Sequence, residues 1–524
     1  MEKCKQYVSE NALPLVILIV AFGLSCFFAA GHNPDSDALF LIENGRYIIQ
    51  NGSVPTVNPW NVTEGMGIIL QQWVCSVINY YSYLFLGFQW IWIMAAFMNL
   101  CCILSMGFFC RAFSKNSSVN LIGMAIAEIC ICSFITTRPY QITMSISFLM
   151  LGTLFRRNEK RKGLTGKALW KHSFITALLM GIFALCQANY QLAFYPMLFA
   201  WPLCFVAPKW EEWKLLGTWI SRDRKNPGIY LKPFFHGFLG RVPELLMIYG
   251  TMFLTGLCNP YGLSGLLYLP KSASAISKLN GKIGEITSQN VKSIFGITVI
   301  LVIVMAVLTF REKLFTTEKF YLFAGGIFLA YGTVRNTWLA LPAFLAMFVT
   351  YAQKTEGLLA KTFLWIKTEN ARKIKRIAIE FLIVISILAP FILPMKNETE
   401  RTEAIFHSNA VTYLKGLQKD YKLYTGFNTG AMMEFMGIKV YFDPRPELYS
   451  PEITGGIDQF SEWYHIAYEK PEEIVTFLEE NGFTHCELDC GSIGDYLLRD
   501  HPDYVEIARS DSYVLYERTD FLEN

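Results

Sequence analysis

Apolar runs long enough to cross ~30 Å of hydrocarbon recur along this chain, and that recurrence limits what it can fold into more than any other feature. They are centred near residues 20, 99, 127, 147, 180, 199, 250, 301, 328, 344 and 385, and several are short or broken by proline. With 53% of the residues hydrophobic and 17% charged, the bilayer is the solvent for most of the chain. The reading is a polytopic α-helical membrane protein of about eleven transmembrane helices with a C-terminal soluble α/β domain. Residues 1–395 would form the membrane domain, with a long outer loop at 31–89, and residues 396–524 an extracytoplasmic α/β domain.

The distribution of positive charge sets the orientation. If the N-terminus lies inside, the segments 111–115, 156–171, 209–241, 311–319 and 354–376 are cytoplasmic, and with Lys3 and Lys5 they collect 28 of the 46 Lys and Arg residues. The outer loops then keep only Arg46, Arg138, Lys271, Lys278, Lys282, Lys292 and Arg335. Cytoplasmic loops are the ones that carry Lys and Arg, so the expected topology has the N-terminus in the cytoplasm and residues 396–524 outside. The first apolar run, 11–30, follows a short basic start. No small-residue cleavage site leads into a soluble domain, so it reads as an uncleaved helix. A net charge of +3 is too small to suggest a nucleic-acid partner.

Two outer segments exceed simple turns. Stretches 37–50 and 68–85 are amphipathic, and Tyr47, Trp73, Tyr80, Tyr81 and Tyr83 suit helices lying in the membrane interface as a lid. The segment 261–292, rich in Ser, Gly and Lys, could move over a site beneath it. Beyond Asn397 the pattern alternates: strands at 421–425, 438–442 and 484–488, helices at 430–436 and 472–480, and a closing hairpin of 504–507 with 513–517. Most of the thirteen cysteines sit inside apolar runs and behave as small hydrophobes, and Cys486 and Cys490 read as free thiols. His407, His465, His485 and His501 show no metal-ligand spacing and read as surface histidines. Asn61-Val62-Thr63 and Asn397-Glu398-Thr399 are sequons on the outer side. The chain has no Walker A, dinucleotide or Gly-x-Ser-x-Gly motif, so neither ATP-driven transport nor serine hydrolysis has support.

Ionisable and amide residues gather at the outer ends of the predicted helices, where a charge is costly enough to suggest function. Asp35 and Asp37 follow the first span; Arg138 opens the fourth; Asn189 and Gln191 mark the turn between the fifth and sixth. Asn259-Pro260-Tyr261-Gly262 ends the seventh, Glu285 follows in its loop, and Arg335-Asn336 ends the ninth. A carboxylate near two cations suits group transfer from a lipid phosphate. Asp37 would take the proton of an incoming hydroxyl, and Arg138 and Arg335 would offset charge on the departing phosphate. That leaving group, with a second pKa of about 6, needs no general acid. Asp35 and Asp37 could also hold Mg²⁺ or Mn²⁺ through oxygen ligands. Asp443-Pro444-Arg445-Pro446-Glu447 follows a predicted strand. Its charges would either meet a ligand at the strand's carboxyl end or pair internally in a proline-stiffened loop.

Several of these strings resemble one family. Asp35-Ser36-Asp37, Gly45-Arg46-Tyr47-Ile48, Gly52-Ser53-Val54-Pro55 and Asn58-Pro59-Trp60 are similar to the first outer loop of bacterial GT-C-type integral-membrane glycosyltransferases. Thr137-Arg138-Pro139-Tyr140-Gln141, Asn189, Asn259-Pro260-Tyr261-Gly262 and Arg335-Asn336 follow in the same order. Phe427-Asn428-Thr429-Gly430 and Phe442-Asp443-Pro444-Arg445-Pro446-Glu447 resemble the C-terminal part of uncharacterised relatives. The resemblance implies a polyprenyl-phosphate-linked sugar as donor and an envelope glycan or protein as acceptor, with transfer at the outer face of a bacterial cytoplasmic membrane. It implies Asp37 as general base with Asp35 beside it, and Arg138, Arg335 and Arg46 at the donor phosphate. Trp73, Gln72, Asn189, Gln191, Asn259, Tyr261, Glu285 and Asn336 would line the substrate, and Asp443 and Arg445 would belong to the acceptor domain. Where the pattern has His, Glu and His, this chain has Leu41, Gln72 and Gln191. Two readings therefore stand: an inverting glycosyltransferase, and a non-catalytic protein that binds or transports a lipid-linked glycan.

Overall fold

The structure, a computed structural model, describes residues 11–30, 36–135, 138–206, 209–221, 229, 231–233, 235, 239–268, 270–272, 294–332, 334–355 and 398–523. The chain forms two compact units. The first holds Met1–Ala29, Ala95–Leu266 and Leu279–Pro390; the second joins Ala30–Met94 and Leu267–Lys278 to Phe391–Asn524. The segment 31–89, expected as an outer loop, therefore folds with the C-terminal residues, whereas the sequence suggested a cut at 395/396 with that segment on the membrane side.

Among the described residues of the first unit the regular structure is all helical. Helices stand at each expected centre except that near 385, which lies outside the described residues. Among the described residues, Ile93–Cys110 and Gly166–Tyr190 are long and apolar enough to cross a membrane, and a bent pair, Leu192–Phe205 with Trp210–Ser221, would make a third. The expected count of eleven spans is thus not reached by length and composition. Ala12–Cys26, Ser117–Ile131, Val242–Gly256 and Gly296–Arg311 are apolar but shorter. Tyr140–Arg161 ends on Lys160 and Arg161, the sign of charge that the partial negative end of a helix favours. Gly166–Tyr190 and Val242–Gly256 pack closely because Gly181 presents no Cβ where the Thr251 methyl would lie 2.6 Å away. Asn99 donates to the buried Glu128 at 2.6 Å, and so supplies a partner that the apolar surroundings do not.

The second unit is built on a mixed four-stranded sheet: β1 (Leu423–Tyr424), β2 (His485–Asp489), β3 (Tyr504–Arg509) and β4 (Tyr513–Arg518), in the order β1-β2-β4-β3. β1 and β2 are parallel, and the other pairs antiparallel. Helix Glu398–Gly416 covers one face with Phe406, Ala410, Val411 and Leu414, which meet Leu423, Met433 and Leu515 in a common core. Tyr516 on the opposite face reaches Asp495 at 2.6 Å. The predicted closing hairpin is present. The predicted strand at 438–442 is not part of the sheet: Val440 bonds Trp60 and Val62 of the outer loop in an isolated parallel bridge, and the Thr425 hydroxyl satisfies Phe442. Those partners come from the outer loop and from one side chain, so no neighbouring strand is needed.

Helices Ser36–Asn51 and Trp73–Leu86 occupy the two amphipathic stretches. Ala38 and Ile42 pack against Tyr80, Tyr83 and Phe435, so much of their apolar surface is covered inside this unit. The proposed lid at 261–292 falls mostly outside the described residues. His407 and His485 are buried, against the surface reading. His485 pairs with Glu517 at 2.7 Å and His407 with Glu487 at 3.2 Å, which lets the imidazoles sit in the core. Cys486 and Cys490 are free. Sequon residue Asn61 is also buried and donates its amide to the Tyr441 carbonyl at 2.8 Å, so its nitrogen is committed to the fold.

Two glycines mark backbone approaches that no side chain could share. A Cβ on Gly45 would lie 2.2 Å from the Ser76 carbonyl oxygen, and one on Gly430 would lie 1.9 Å from that of Phe442. Gly45→Ala and Gly430→Ala are each expected to cost about 1–3 kcal/mol or more and to lower the melting temperature of the detergent-purified protein. Gly416→Ala, with open space around the added methyl, serves as the control; equal melting temperatures for all three variants would contradict this packing.

Candidate functional site

The expected site residues fall in both units. In the second, Asp37 lies in the first turn of helix Ser36–Asn51, buried at 8% exposure; a carboxylate there is favoured by the partial positive charge of a helix N-terminus. Arg46 lies on the same helix but is already engaged. Its guanidinium is 2.7 Å from Glu43, donates to the Phe435 carbonyl at 3.2 Å and lies over the Phe435 ring. To bind a donor phosphate it would have to leave these partners. Gln72 is buried immediately before helix Trp73–Leu86, and Trp73 is half-buried in its first turn. Asp35 lies outside the described residues.

The rest of the outer loop is fixed by a buried polar network of the C-terminal residues. Arg445 donates to Asp443 at 3.0 and 2.6 Å, to both Glu434 oxygens at 2.9 and 2.8 Å, and to the Asn44 side-chain oxygen at 3.3 Å. Its guanidinium also lies over the rings of Phe40 (4.8 Å) and Trp60 (5.6 Å), and Tyr449 donates its hydroxyl to Asp443. Trp60 in turn donates to Glu43 at 3.4 Å, and Gln71 to Glu447 at 3.3 Å. The internal pairing of Asp443 with Arg445 is therefore the arrangement adopted. Both side chains are buried, where an acceptor could not reach them without opening the loop.

Two carboxylates around one guanidinium cannot both stay ionised at low cost. Burial raises the Asp443 carboxyl, but the Arg445 charge and hydrogen bonds outweigh it and hold Asp443 below its ordinary value. Glu434 is pushed well above its own by burial, and the Arg445 charge only partly offsets this against the nearby Asp443. The shared guanidinium thus sits between two carboxyls shifted in opposite directions, Glu434 upward and Asp443 downward. Glu43 is likewise raised by burial, opposed by Arg46 and the Trp60 indole.

The members in the first unit collect at one end of its helices. Arg138 is half-buried just before helix Tyr140–Arg161, whose Gln141 donates to the Phe134 carbonyl. Thr143 donates to Gln191 at 2.6 Å, and Gln187 donates to Thr143 and to the Gln191 carbonyl. Asn189 donates to the Cys258 carbonyl at 2.8 Å, while Asn259 closes the end of Val242–Gly256 by donating to Gly256 and Gly262 and accepting from the Tyr261 amide. Edge-to-face contacts run from Phe134 to Tyr140 and on to Phe194, which meets Trp338, two residues beyond the half-buried Asn336. Arg138, Gln191, Asn189, Asn259, Tyr261 and Asn336 thus belong to neighbouring helix ends. Thr137 and Glu285 lie outside the described residues, as does the Arg335 side chain. Among the described residues no cluster of His, Cys, Asp and Glu could hold a metal ion.

Sequence reasoning missed Phe40, Glu43, Asn44, Glu434 and Tyr449, since Arg445 and Asn44 stand 401 positions apart. The available signal was the pair Glu43-Asn44 directly after the apolar run 38–42, a polar pair that a packed helix has to satisfy.

No family model and no curated protein matches the chain. Solved structures with the same fold do exist, and they are membrane oligosaccharyltransferases. The oligosaccharyltransferase AglB from Archaeoglobus fulgidus, in complex with an inhibitory peptide and a dolichol-phosphate, superposes with a TM-score of 0.55 at 10% identity, covering 92% of this chain and 70% of that one. The A. fulgidus enzyme tethered to an acceptor peptide containing the NVT sequon gives 0.55 at 13% identity over the same shares. The enzyme with Zn and sulfate gives 0.50 at 11%, covering 95% and 72%. The chain has the fold of these oligosaccharyltransferases, and among the described residues two of its helices are long and apolar enough to cross a membrane.

The raised Glu434 carboxyl has a measurable consequence. A carboxyl whose folded pKa is raised contributes stability that is present below its unfolded value and lost as pH rises through its folded value. The melting temperature should therefore fall on alkalinisation, and Glu434→Gln should flatten that fall while changing little at neutral pH. Arg445→Leu, which strands Asp443, should cost about 3–5 kcal/mol and free residues 36–86 for limited proteolysis; an unchanged digestion pattern would contradict the network's role.

Proposed function

We propose that this protein is an inverting glycosyltransferase that takes a sugar from a polyprenyl-phosphate carrier and places it on an envelope glycan or protein at the outer face of a bacterial cytoplasmic membrane. The observation that carries this reading is the likeness over most of the chain to an enzyme solved with a dolichol-phosphate and with an acceptor peptide. The presence of a buried aspartate in the first outer loop adds to it. Asp37 is the proposed general base: it accepts the proton of the acceptor hydroxyl or amide as that atom attacks the anomeric carbon and the lipid phosphate leaves with the bonding pair. Arg138 and Arg335 are proposed to offset the charge on that phosphate. A divalent ion, Mg²⁺ or Mn²⁺, could serve the same purpose through Asp35 and Asp37; one neighbour structure contains Zn. The N-terminus is proposed to lie in the cytoplasm and the C-terminal unit outside.

A non-catalytic protein for lipid-linked glycans is the second reading, and one observation favours it. Leu41 is fully buried and Gln191 is bonded to Thr143, so two of the neutral replacements are part of the packing rather than titratable groups facing a substrate.

Sugar release from a polyprenyl-phosphate sugar by purified protein decides between them. Asp37→Asn should lower turnover about 10²–10⁴-fold, the usual contribution of a general base; no turnover in the wild type, or equal turnover in both, would remove the catalytic assignment. Arg138→Ala should weaken binding of the polyprenyl phosphate about tenfold, the scale of a lost charge-assisted hydrogen bond, and unchanged affinity in a titration would refute that role.

A further inference from the structure

A second concave feature lies in the C-terminal sheet, apart from the Arg445 network. A cleft of about 360 Å³ opens beside the carboxyl ends of β1 and β2, the position at which sheets with adjacent parallel strands receive ligands. Tyr424, Phe427, Trp463 and Tyr468 supply aromatic walls and Asp489 supplies a carboxylate; no Lys, Arg or His is among the described lining residues. Trp463 is fixed by stacking on Phe442 with ring centres 4.4 Å apart, and the well-exposed Tyr468 stands edge-on to it at 5.6 Å.

The acidic charge at the mouth is that of Asp489. Asp489 is exposed and makes no ion pair among the described residues. Glu487 beneath it is fully buried, with the His407 imidazole at 3.2 Å. Burial of its carboxyl against the cleft wall, and then the Glu487 charge, raise Asp489 above its ordinary value. An anion such as a lipid phosphate would be repelled here. An organic ammonium would neutralise the Asp489 carboxylate and be attracted to the ring faces at the same time.

We propose that this cleft binds a primary ammonium carried by an organic ligand, either a lysine side chain or an amino sugar. The assignment does not depend on the transfer reaction proposed above. Isothermal titration of the full-length protein in detergent tests it with two matched pairs: Nα-acetyl-lysine methylamide against its Nε-acetylated form, and glucosamine against N-acetylglucosamine. At least one amine should bind about tenfold more tightly than its neutral partner, and whichever pair discriminates identifies the source. Asp489→Asn and Tyr468→Ala, both at exposed positions, should each weaken that binding about tenfold without shifting the melting temperature. Binding of neither amine up to millimolar concentration, equal binding of the acetylated partners, or full affinity in Asp489→Asn would overturn the proposal.

Discussion

The guanidinium of Arg445 is the point on which the second unit depends. It donates to Asp443 and Glu434, reaches across 401 positions of sequence to Asn44, and lies over Phe40 and Trp60. A buried cation of this kind tolerates no missing partner, because the desolvation it suffers is offset only when every donor is satisfied. Its partners come from both the outer loop and the C-terminal residues, so the helix that carries Asp37 is positioned by the domain at the other end of the chain. The fold thus uses a costly group to hold a defined arrangement, and the apolar helix contacts through Ala38, Ile42 and Phe435 add the non-directional part of the attachment.

In the first unit the polar residues at helix ends solve a different problem. Helix termini leave carbonyls without partners, and Asn189 and Asn259 supply donors to Cys258, Gly256 and Gly262. The Gln187, Gln191 and Thr143 group does the same among side chains. These residues therefore hold the helix ends in place, and any contact with a bound lipid glycan comes in addition to that work. The same consideration bears on Leu41 and Gln191, which stand where the resembled pattern has titratable groups: both are packed or bonded within the fold, where an uncompensated charge would be costly.

Part of this was legible in the residues. The apolar runs gave the helices of the first unit, because a helix satisfies its own backbone wherever water is absent. The alternation after residue 420 gave the hairpin of β3 and β4. Two amphipathic stretches gave the helices at 36–51 and 73–86, but not what they pack against. The strand expected at 438–442 failed since period-two alternation describes an extended segment without saying whether its partner is a sheet or a distant loop. The burial of His407 and His485 was hidden for a related reason: a histidine reads as polar until a carboxylate from another strand is placed beside it.

What the sequence determined by itself is local: which segments are apolar enough to be helices, which ends carry charge, and which short strings resemble a glycosyltransferase pattern. What only the tertiary structure decided is the company those strings keep. Gly45, Asn58 to Trp60 and Asp443 to Glu447 are motifs of unremarkable composition, and their purpose shows only when Gly45 admits the Ser76 carbonyl and Arg445 meets Asn44. The physical reason is that helix propensity and hydropathy act over a few residues, while the satisfaction of a buried charge is a condition on the whole fold.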